Sequence, residues 1–124
     1  MPNKITEIGQ LAITVSDVPA ALRFYQDILG LDFLFSPAEN LAFLQCGATR
    51  VMLSTPQGSG EVGKNSIPYF KVGDLEVFYT AAVKAGANVE REPQLAAKMP
   101  DHELWIGFLK DPDGNLIGLM EEKK

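Results

Sequence analysis

Cysteine, histidine and positive charge are all scarce in this chain, and each shortage excludes a class of protein. The 124 residues include one cysteine, Cys46, and one histidine, His102. An internal disulfide and a zinc site made of several cysteine and histidine ligands are therefore both excluded. Lysine and arginine number 11 against 16 acidic residues, which gives a net charge of −5. Since a nucleic-acid-binding protein needs a basic face, we expect no nucleic-acid partner.

Long apolar segments are missing as well. No run approaches the ~20 apolar residues that a membrane-spanning helix requires, and residues 1–10 lack the apolar core of a signal peptide. These absences predict a cytoplasmic protein without a membrane partner, and a lone unpaired cysteine agrees with a reducing compartment. The length, 124 residues, is typical of one domain that folds without disulfides or a structural metal.

The first half of the chain predicts a strand, a helix and three further strands. Residues 11–15 alternate bulky apolar with small or polar side chains, as a strand with one buried face does. Asp17 suits a helix N-cap and Pro19 suits the first helical turn. Apolar residues at three- and four-residue steps continue this helix to Gly30. The three strands that follow are residues 31–35, 41–45 and 50–54.

The second half repeats this plan after a linker rich in glycine and polar residues, predicted at residues 55–65. Residues 15–18 align with residues 72–75, at an offset of 57 positions. A strand at residues 67–72 precedes a helix that begins at Asp74 and ends at Gly86. The remaining strands are predicted at residues 88–91, 103–110 and 116–120, the last two joined by a turn at residues 111–115.

Two similar halves predict one α+β domain, residues 1–124, made of two βαβββ modules with mixed sheets flanking a cleft. The modules span about residues 5–54 and 66–121. Because strand faces alternate, we can divide each strand into helix-facing and cleft-facing residues. The seventh strand is predicted to turn Leu104, Ile106 and Phe108 to the core and Glu103, Trp105, Gly107 and Leu109 to the cleft. The predicted cleft suits a small apolar or aromatic molecule, although its side chains could also fill the space themselves or face solvent.

The repeated plan and two motifs resemble the vicinal oxygen chelate superfamily. This superfamily contains glyoxalases, bleomycin-resistance proteins, extradiol dioxygenases, fosfomycin-resistance proteins and methylmalonyl-CoA epimerases. Residues 15–18, Phe24-Tyr25 and residues 28–31 resemble the signature of its first module, and residues 111–115 resemble its terminal hairpin turn. The resemblance covers about residues 8–121 and implies the fold more strongly than it implies any one reaction.

The resemblance also implies four positions that hold a divalent metal ion in the enzymes of the superfamily. Here they are Gln10, Met52, Ile67 and Gly118. A glutamine is compatible with a metal site, but a thioether is a soft ligand, isoleucine has no lone pair and glycine offers only its backbone. We therefore expect the fold of the superfamily without its usual metal site, and no cofactor.

Two hypotheses about function follow. In the first, a metal-free protein binds a small apolar or aromatic molecule, with a homodimer expected from its edge strands and from the resemblance. The ligand-binding residues are then Gln10, Met52, Tyr69, His102, Trp105 and Gly118. In the second, the protein is a metal-dependent lyase, isomerase or dioxygenase that holds its ion with Gln10, His102 and Glu103. His102 and Glu103 are then candidate catalytic residues. The plainer alternative is that His102 is a solvent-exposed histidine in a loop.

The sequence is compatible with binding alone or with catalysis, and with modules that pair within one chain or between two. A third hypothesis, a module that binds a protein partner, would need a large exposed apolar patch, and the sequence shows no obvious one.

Overall fold

The computed structural model describes residues 4–56 and 60–124, so residues 57–59 of the predicted linker lie outside the described part of the chain. The first module contains β1 (Gln10–Thr14), α1 (Val18–Leu22) with a π-helical continuation (Arg23–Ile28), β2 (Asp32–Ala38), β3 (Leu41–Cys46) and β4 (Thr49–Ser54). The second contains β5 (Tyr69–Lys71), α2 (Leu75–Lys84), β6 (Asn88–Lys98), β7 (Glu103–Lys110) and β8 (Leu116–Lys123). No helix in the described ranges is long and apolar enough to cross a membrane.

Each module forms its own four-stranded mixed sheet. The strand orders are β1-β4-β3-β2 and β5-β8-β7-β6. The pairs β1–β4 and β5–β8 are parallel, and the other pairs are antiparallel. The predicted α+β fold of two βαβββ modules is therefore confirmed, and each module places its first strand at one edge of its sheet.

Both helices begin at the aspartates that the sequence indicates. The Asp17 carboxylate accepts a hydrogen bond from the backbone N–H of Ala20, at 3.0 Å, and the Asp74 carboxylate accepts one from Val77, at 3.2 Å. Such a side chain satisfies a backbone donor that has no partner within the helix. The repeat in sequence is therefore also a repeat in local structure.

The helices cover one face of each sheet and leave the other face open. The buried sheet residues on the covered faces are Ile13, Leu44, Val51, Leu53, Leu109, Ile117 and Leu119, and they share one core with Ala21, Tyr25, Leu75 and Tyr79 of the helical segments. On the open face of the first sheet, Gln10, Ala12 and Arg50 are exposed. Any cleft must therefore be lined by the open faces.

The faces predicted for β7 are wrong, because the structure reverses them. Leu109 is fully buried, and Gly107 packs against α2. Trp105 lies on this helix-covered face, whereas Phe108 lies on the open face, paired with Gly118. The residues on both faces of β7 are mostly apolar. Their alternation therefore divides the strand into two faces but does not indicate which face is buried.

Strand β6 is also longer than predicted. The sequence indicated an end at residue 91, but the strand continues to Lys98. Its pairing with β7 shifts register at three places, one of them between Arg91 and Gln94, around Pro93. Proline has no backbone donor and is therefore tolerated on edge strands and at β-bulges, and β6 is an edge strand of its sheet.

A buried carboxylate joins the two modules. The Asp111 side chain is 1% exposed and accepts hydrogen bonds from the Tyr25 hydroxyl of the first module and from the Asn115 side chain, both at 2.8 Å. Its other oxygen accepts from the backbone N–H groups of Asp113 and Asn115, at 2.9 and 2.8 Å. Each hydrogen bond to a charged group contributes about 1.5–3 kcal/mol, so this group stabilises the contact between modules.

Neighbouring polar side chains extend this contact to the end of β1. Asn65 accepts a hydrogen bond from the backbone N–H of Thr14 and donates to the Asn115 side chain, at 3.1 and 2.9 Å. The Ser16 backbone and hydroxyl both donate to the Asp113 carboxylate. Every one of these bonds connects residues at least 50 positions apart. The register between the modules is therefore fixed by directional polar bonds as well as by the core.

The buried hydroxyl of Tyr25 should make the protein less stable at high pH. Burial raises the pKa of Tyr25 far above its ordinary value, and the neighbouring charge of Asp111 raises it further. The folded state thus keeps a proton that the unfolded state releases above about pH 10, so that stability is full below that pH and falls above it, by ~1.4 kcal/mol per pH unit. Urea unfolding between pH 8 and 11.5 would measure this slope.

The variant Tyr25→Phe should show a shallower slope and, at neutral pH, a loss of about 1.5–3 kcal/mol, since one donor to a buried carboxylate is removed. Tyr79→Phe is the matched control. Its hydroxyl donates to two backbone carbonyls, so its loss at neutral pH should be smaller. Equal losses at neutral pH in the two variants, or an unchanged slope in Tyr25→Phe, would contradict the role given to Asp111.

Candidate functional site

The open face of the first sheet carries a connected group of side chains around Gln10. The Nε of Arg50 donates a hydrogen bond to the Gln10 side-chain oxygen, at 2.7 Å, and the Gln10 amide donates to the Met52 sulfur, at 3.7 Å. Gln10 and Arg50 are neighbours because they pair in the parallel register of β1 and β4. Two positions of the predicted site, Gln10 and Met52, are thus in direct contact.

Aromatic surface lies beside this group. The Arg50 guanidinium lies over the Phe43 ring, 5.5 Å from its centre, and Phe43 stacks on Phe35 with ring centres 4.9 Å apart. Phe35 is 51% exposed. Neither Phe43 nor Arg50 is among the binding residues predicted from the sequence, although the alternation in β4 puts Arg50 on the same face as Met52.

The open face of the second sheet is covered locally by Tyr69. A Cβ atom added at Gly118 would lie 2.6–3.0 Å from three carbons of the Tyr69 ring. This ring also meets Phe108 edge to face, with centres 5.7 Å apart, and the Arg91 guanidinium lies 5.7 Å from the centre of the Phe108 ring. The structure therefore brings together Tyr69 and Gly118 of the predicted site.

The two modules distribute bulk differently at equivalent positions. In the first module Ala12 pairs with Met52, so the small residue is on the first strand and the large one on the fourth. In the second module Tyr69 pairs with Gly118, so the large residue is on the first strand and the small one on the fourth. Each pair combines one large and one small side chain, which lets a close-packed surface form on both sheets.

The residues at the four expected ligand positions do not fit a divalent metal ion. The Gln10 oxygen already accepts a charge-assisted hydrogen bond, and Met52 offers only a thioether. Ile67 has no donor atom, and the ring of Tyr69 occupies the space into which a side chain at position 118 would extend. A hard divalent ion needs several oxygen or nitrogen ligands on converging strands, and this set supplies one.

His102 and Glu103 lie elsewhere. Glu103, the first residue of β7, is about 17 Å along the strand from Phe108, at ~3.4 Å per residue, and His102 and Glu103 both line a separate cavity of about 450 Å³. The His102 Nδ1 is 2.7 Å from an Asp101 carboxylate oxygen, and this hydrogen bond lowers the pKa of Asp101. Since Gln10 bonds to Arg50 and Met52 instead, the structure does not assemble the alternative metal-ligand set.

Trp105 lies outside the cleft, contrary to the prediction. Its indole N–H donates to Glu103, at 3.1 Å, and the Lys123 ammonium lies 4.6 Å from the centre of its ring. These contacts are on the helix-covered face of the second sheet. A flat ligand on the open face would therefore have to stack on other rings.

A cluster of Asp74, Glu76 and Glu121 is the one group of three acidic, histidine or cysteine side chains in residues 4–56 and 60–124 that is close enough to share a metal ion. Glu121 accepts a hydrogen bond from the backbone N–H of Leu75 at the start of α2, at 2.9 Å. Glu76 pairs with Lys123, which lowers the pKa of Glu76. The cluster thus stabilises the beginning of a helix.

An apolar cavity of about 320 Å³ lies where the first strands of the two modules approach each other. It is lined by Ile8, Leu11, Cys46, Thr49, Val51, Ile67, Pro68, Tyr69 and Phe70. Residues of both modules contribute, including the Ile67 and Tyr69 positions of the predicted site. On the first sheet, however, the lining residues Leu11 and Val51 belong to the helix-covered side, so this cavity is distinct from the open face that carries Gln10 and Met52.

The sequence profile of the Glyoxalase/Bleomycin resistance protein/Dioxygenase superfamily matches residues 7–119. The chain therefore belongs to this superfamily, which confirms the resemblance drawn from its two motifs. It is 25% identical over 124 residues to Virulence protein STM3117 of Salmonella typhimurium strain LT2, covering 94% of this chain and 85% of that protein.

Solved structures show the same fold. An integron cassette protein from the mobile metagenome of V. cholerae is similar with a TM-score of 0.79 and 23% identity, covering 95% of this chain and 96% of that chain. Lactoylglutathione lyase from Agrobacterium tumefaciens is similar with a TM-score of 0.77 and 24% identity, covering 95% of each chain. At these identities the likeness establishes the fold alone.

The contact between Tyr69 and Gly118 can be tested by adding one methyl group. Gly118→Ala should lower the free energy of unfolding by about 1–3 kcal/mol, because the ring of Tyr69 has to move. The same change in a Tyr69→Ala background should cost much less. Gly9→Ala is the control, since a Cβ there meets no atom within 4 Å. Denaturant unfolding of the four variants measures the coupling, and an equal cost in both backgrounds would show that Tyr69 does not cover Gly118.

Proposed function

We propose that this protein is a metal-free member of the superfamily that binds a small apolar or aromatic molecule in its cleft, acting in the cytoplasm as a homodimer. One observation carries the proposal. The ring of Tyr69 lies against Gly118, so an aromatic surface takes the place where the resemblance implies the fourth metal ligand. Binding would then depend on enclosure and stacking, without a metal-dependent reaction.

The composition of the open faces supports an aromatic ligand. Phe35 and Phe43 form a stacked pair on the first sheet, and Tyr69 and Phe108 form an edge-to-face pair on the second. Aromatic rings present large apolar faces with preferred stacking geometries, and the nearby thioether of Met52 adapts readily to the shape of a ligand. Pockets with these properties bind small molecules with a few polar groups for orientation.

The homodimer is supported by the exposed edge of the first sheet. All seven residues of β2 are exposed, and Phe33, Leu34 and Phe35 are 42%, 43% and 51% exposed. Three adjacent exposed apolar residues on an edge strand promote association with another chain, which would cover them. We infer that a second copy does so.

Metal content tests the main alternative, a metal-dependent lyase, isomerase or dioxygenase. Protein purified without a histidine tag should contain well under one equivalent of metal by elemental analysis. Titration with Ni²⁺, Zn²⁺, Mn²⁺ and Fe²⁺ should show no tight binding, since the cleft supplies a single suitable donor. Near-stoichiometric metal that is lost in Gln10→Ala or His102→Ala would overturn the metal-free proposal.

Binding of a neutral aromatic probe, 1-naphthamide, tests the cleft itself. Phe43→Ala should weaken its binding about 3- to 10-fold, because Phe35 and Arg50 both pack on this ring and would lose their support. Trp105→Phe should leave the affinity unchanged, because Trp105 lies on the helix-covered face. Isothermal titration calorimetry gives both constants. Equal effects of the two substitutions would place the probe outside the proposed site.

Sedimentation velocity tests the homodimer. A chain of 13.5 kDa should sediment as a species of twice that mass, and Leu34→Asp should shift it to the monomer because a charge is then buried at the interface. Val77→Asp is the control, since Val77 is 65% exposed on α2 and away from β2. A wild-type monomer at high concentration would contradict the proposed assembly.

A further inference from the structure

Arg50 has a different environment from the paired lysines of this acidic chain. Four of the lysines, Lys64, Lys71, Lys110 and Lys123, each lie within 3.3 Å of a glutamate oxygen. In the described ranges 4–56 and 60–124, no carboxylate lies within ion-pair distance of Arg50. Among the described residues it is thus a cation without an ion-pair partner, on the open face of a protein whose net charge is −5.

Two contacts hold this guanidinium in one orientation. Its Nε donates to Gln10 at 2.7 Å, and its central carbon lies over Phe43, 5.5 Å from the ring centre. Because Nε is occupied, the two terminal Nη groups are the donors that remain. They form the end of the guanidinium that matches the two oxygens of a carboxylate or phosphate.

The second sheet carries a comparable cation, Arg91, that lacks a hydrogen bond like the one between Arg50 and Gln10. Arg91 also lies over a phenylalanine, Phe108, at 5.7 Å. Its side chain has no hydrogen-bond acceptor among the residues that the structure describes. Fixed orientation, rather than charge alone, therefore distinguishes Arg50.

We infer that Arg50, held by Gln10, binds an oxyanion on an aromatic ligand, so that the molecule bound in the cleft is a ring bearing a carboxylate or a phosphate. This inference rests on the proposed function, because it names the chemistry of the molecule that the cleft holds. The ring of the ligand would lie against Met52 and the exposed ring of Phe35, while its oxyanion accepts hydrogen bonds from both Nη groups. Gln10 is a positioning residue in this arrangement.

Three probes of the same shape test the inference by isothermal titration calorimetry: 1-naphthoate, 1-naphthyl phosphate and the neutral 1-naphthamide. At least one oxyanion should bind about tenfold more tightly than 1-naphthamide, since a charge-assisted pair at an exposed site has an effect of that size. Comparison of the two oxyanions shows which group the site prefers. In nuclear magnetic resonance spectra, the Nε–H signal of Arg50 should shift on their binding.

Two variants remove the charge or its availability without removing packing. Arg50→Met keeps the aliphatic stem over Phe43 and should abolish the preference for the oxyanion. Gln10→Glu places a carboxylate where the amide now accepts from Arg50, so that it competes with the ligand and should also lower the preference for the oxyanion. The control is Arg23→Met, which changes the net charge equally but lies on the helical segment that faces away from the open face.

The outcomes separate the inference from the proposed function. An oxyanion preference that is lost in Arg50→Met and in Gln10→Glu, and kept in Arg23→Met, supports the inference. If all three probes bind equally well, or if the preference survives in Arg50→Met, the inference is wrong and the proposed aromatic site stands. If none of the probes binds to the wild-type protein, both are overturned.

Discussion

The two modules meet around the carboxylate of Asp111, and the geometry of the cleft depends on this contact. A charged group that is 1% exposed is tolerated only because it accepts four hydrogen bonds. One of these comes from Tyr25, 86 positions away. A sliding motion between the modules would break a bond to a buried charge, which costs more than the loss of an equal apolar contact. The open faces therefore keep a fixed relation to each other.

The repeat provides two similar sheets, but their open faces have diverged in a coordinated way. A large Met52 is possible where its neighbour is Ala12, and a large Tyr69 is possible where its neighbour is Gly118. In each case one side chain occupies the volume that its partner leaves. A glutamate at position 118 would meet the ring of Tyr69, so a metal ligand there and the present aromatic surface exclude each other. A glycine at position 118, in place of the metal ligand that the resemblance implies, thus replaces a metal site with an aromatic surface.

Local features of the fold were predictable from the sequence, whereas long-range ones were not. The caps at Asp17 and Asp74 depend on residues three positions away, and the repeat shows them twice. The open face of β7 was predicted wrongly, because both of its faces are apolar and only α2 decides which is buried. Asp111 was predicted as a turn residue, and its bond to Tyr25 depends on how the modules meet. The contact of Arg50 with Gln10 likewise depends on strand register across 40 positions.

The chemistry of a guanidinium explains why such a cleft would bind without catalysing a metal-dependent reaction. A divalent ion and an arginine both attract the oxygens of a ligand. The ion also acts as a Lewis acid and lowers the pKa of bound water, whereas the guanidinium of Arg50 only donates hydrogen bonds. Stacking on the aromatic surface and the hydrogen bonds to the oxyanion would then stabilise the bound ground state and a transition state equally. Uniform binding of this kind gives affinity without acceleration, which is the behaviour required of a protein that holds a small molecule unchanged.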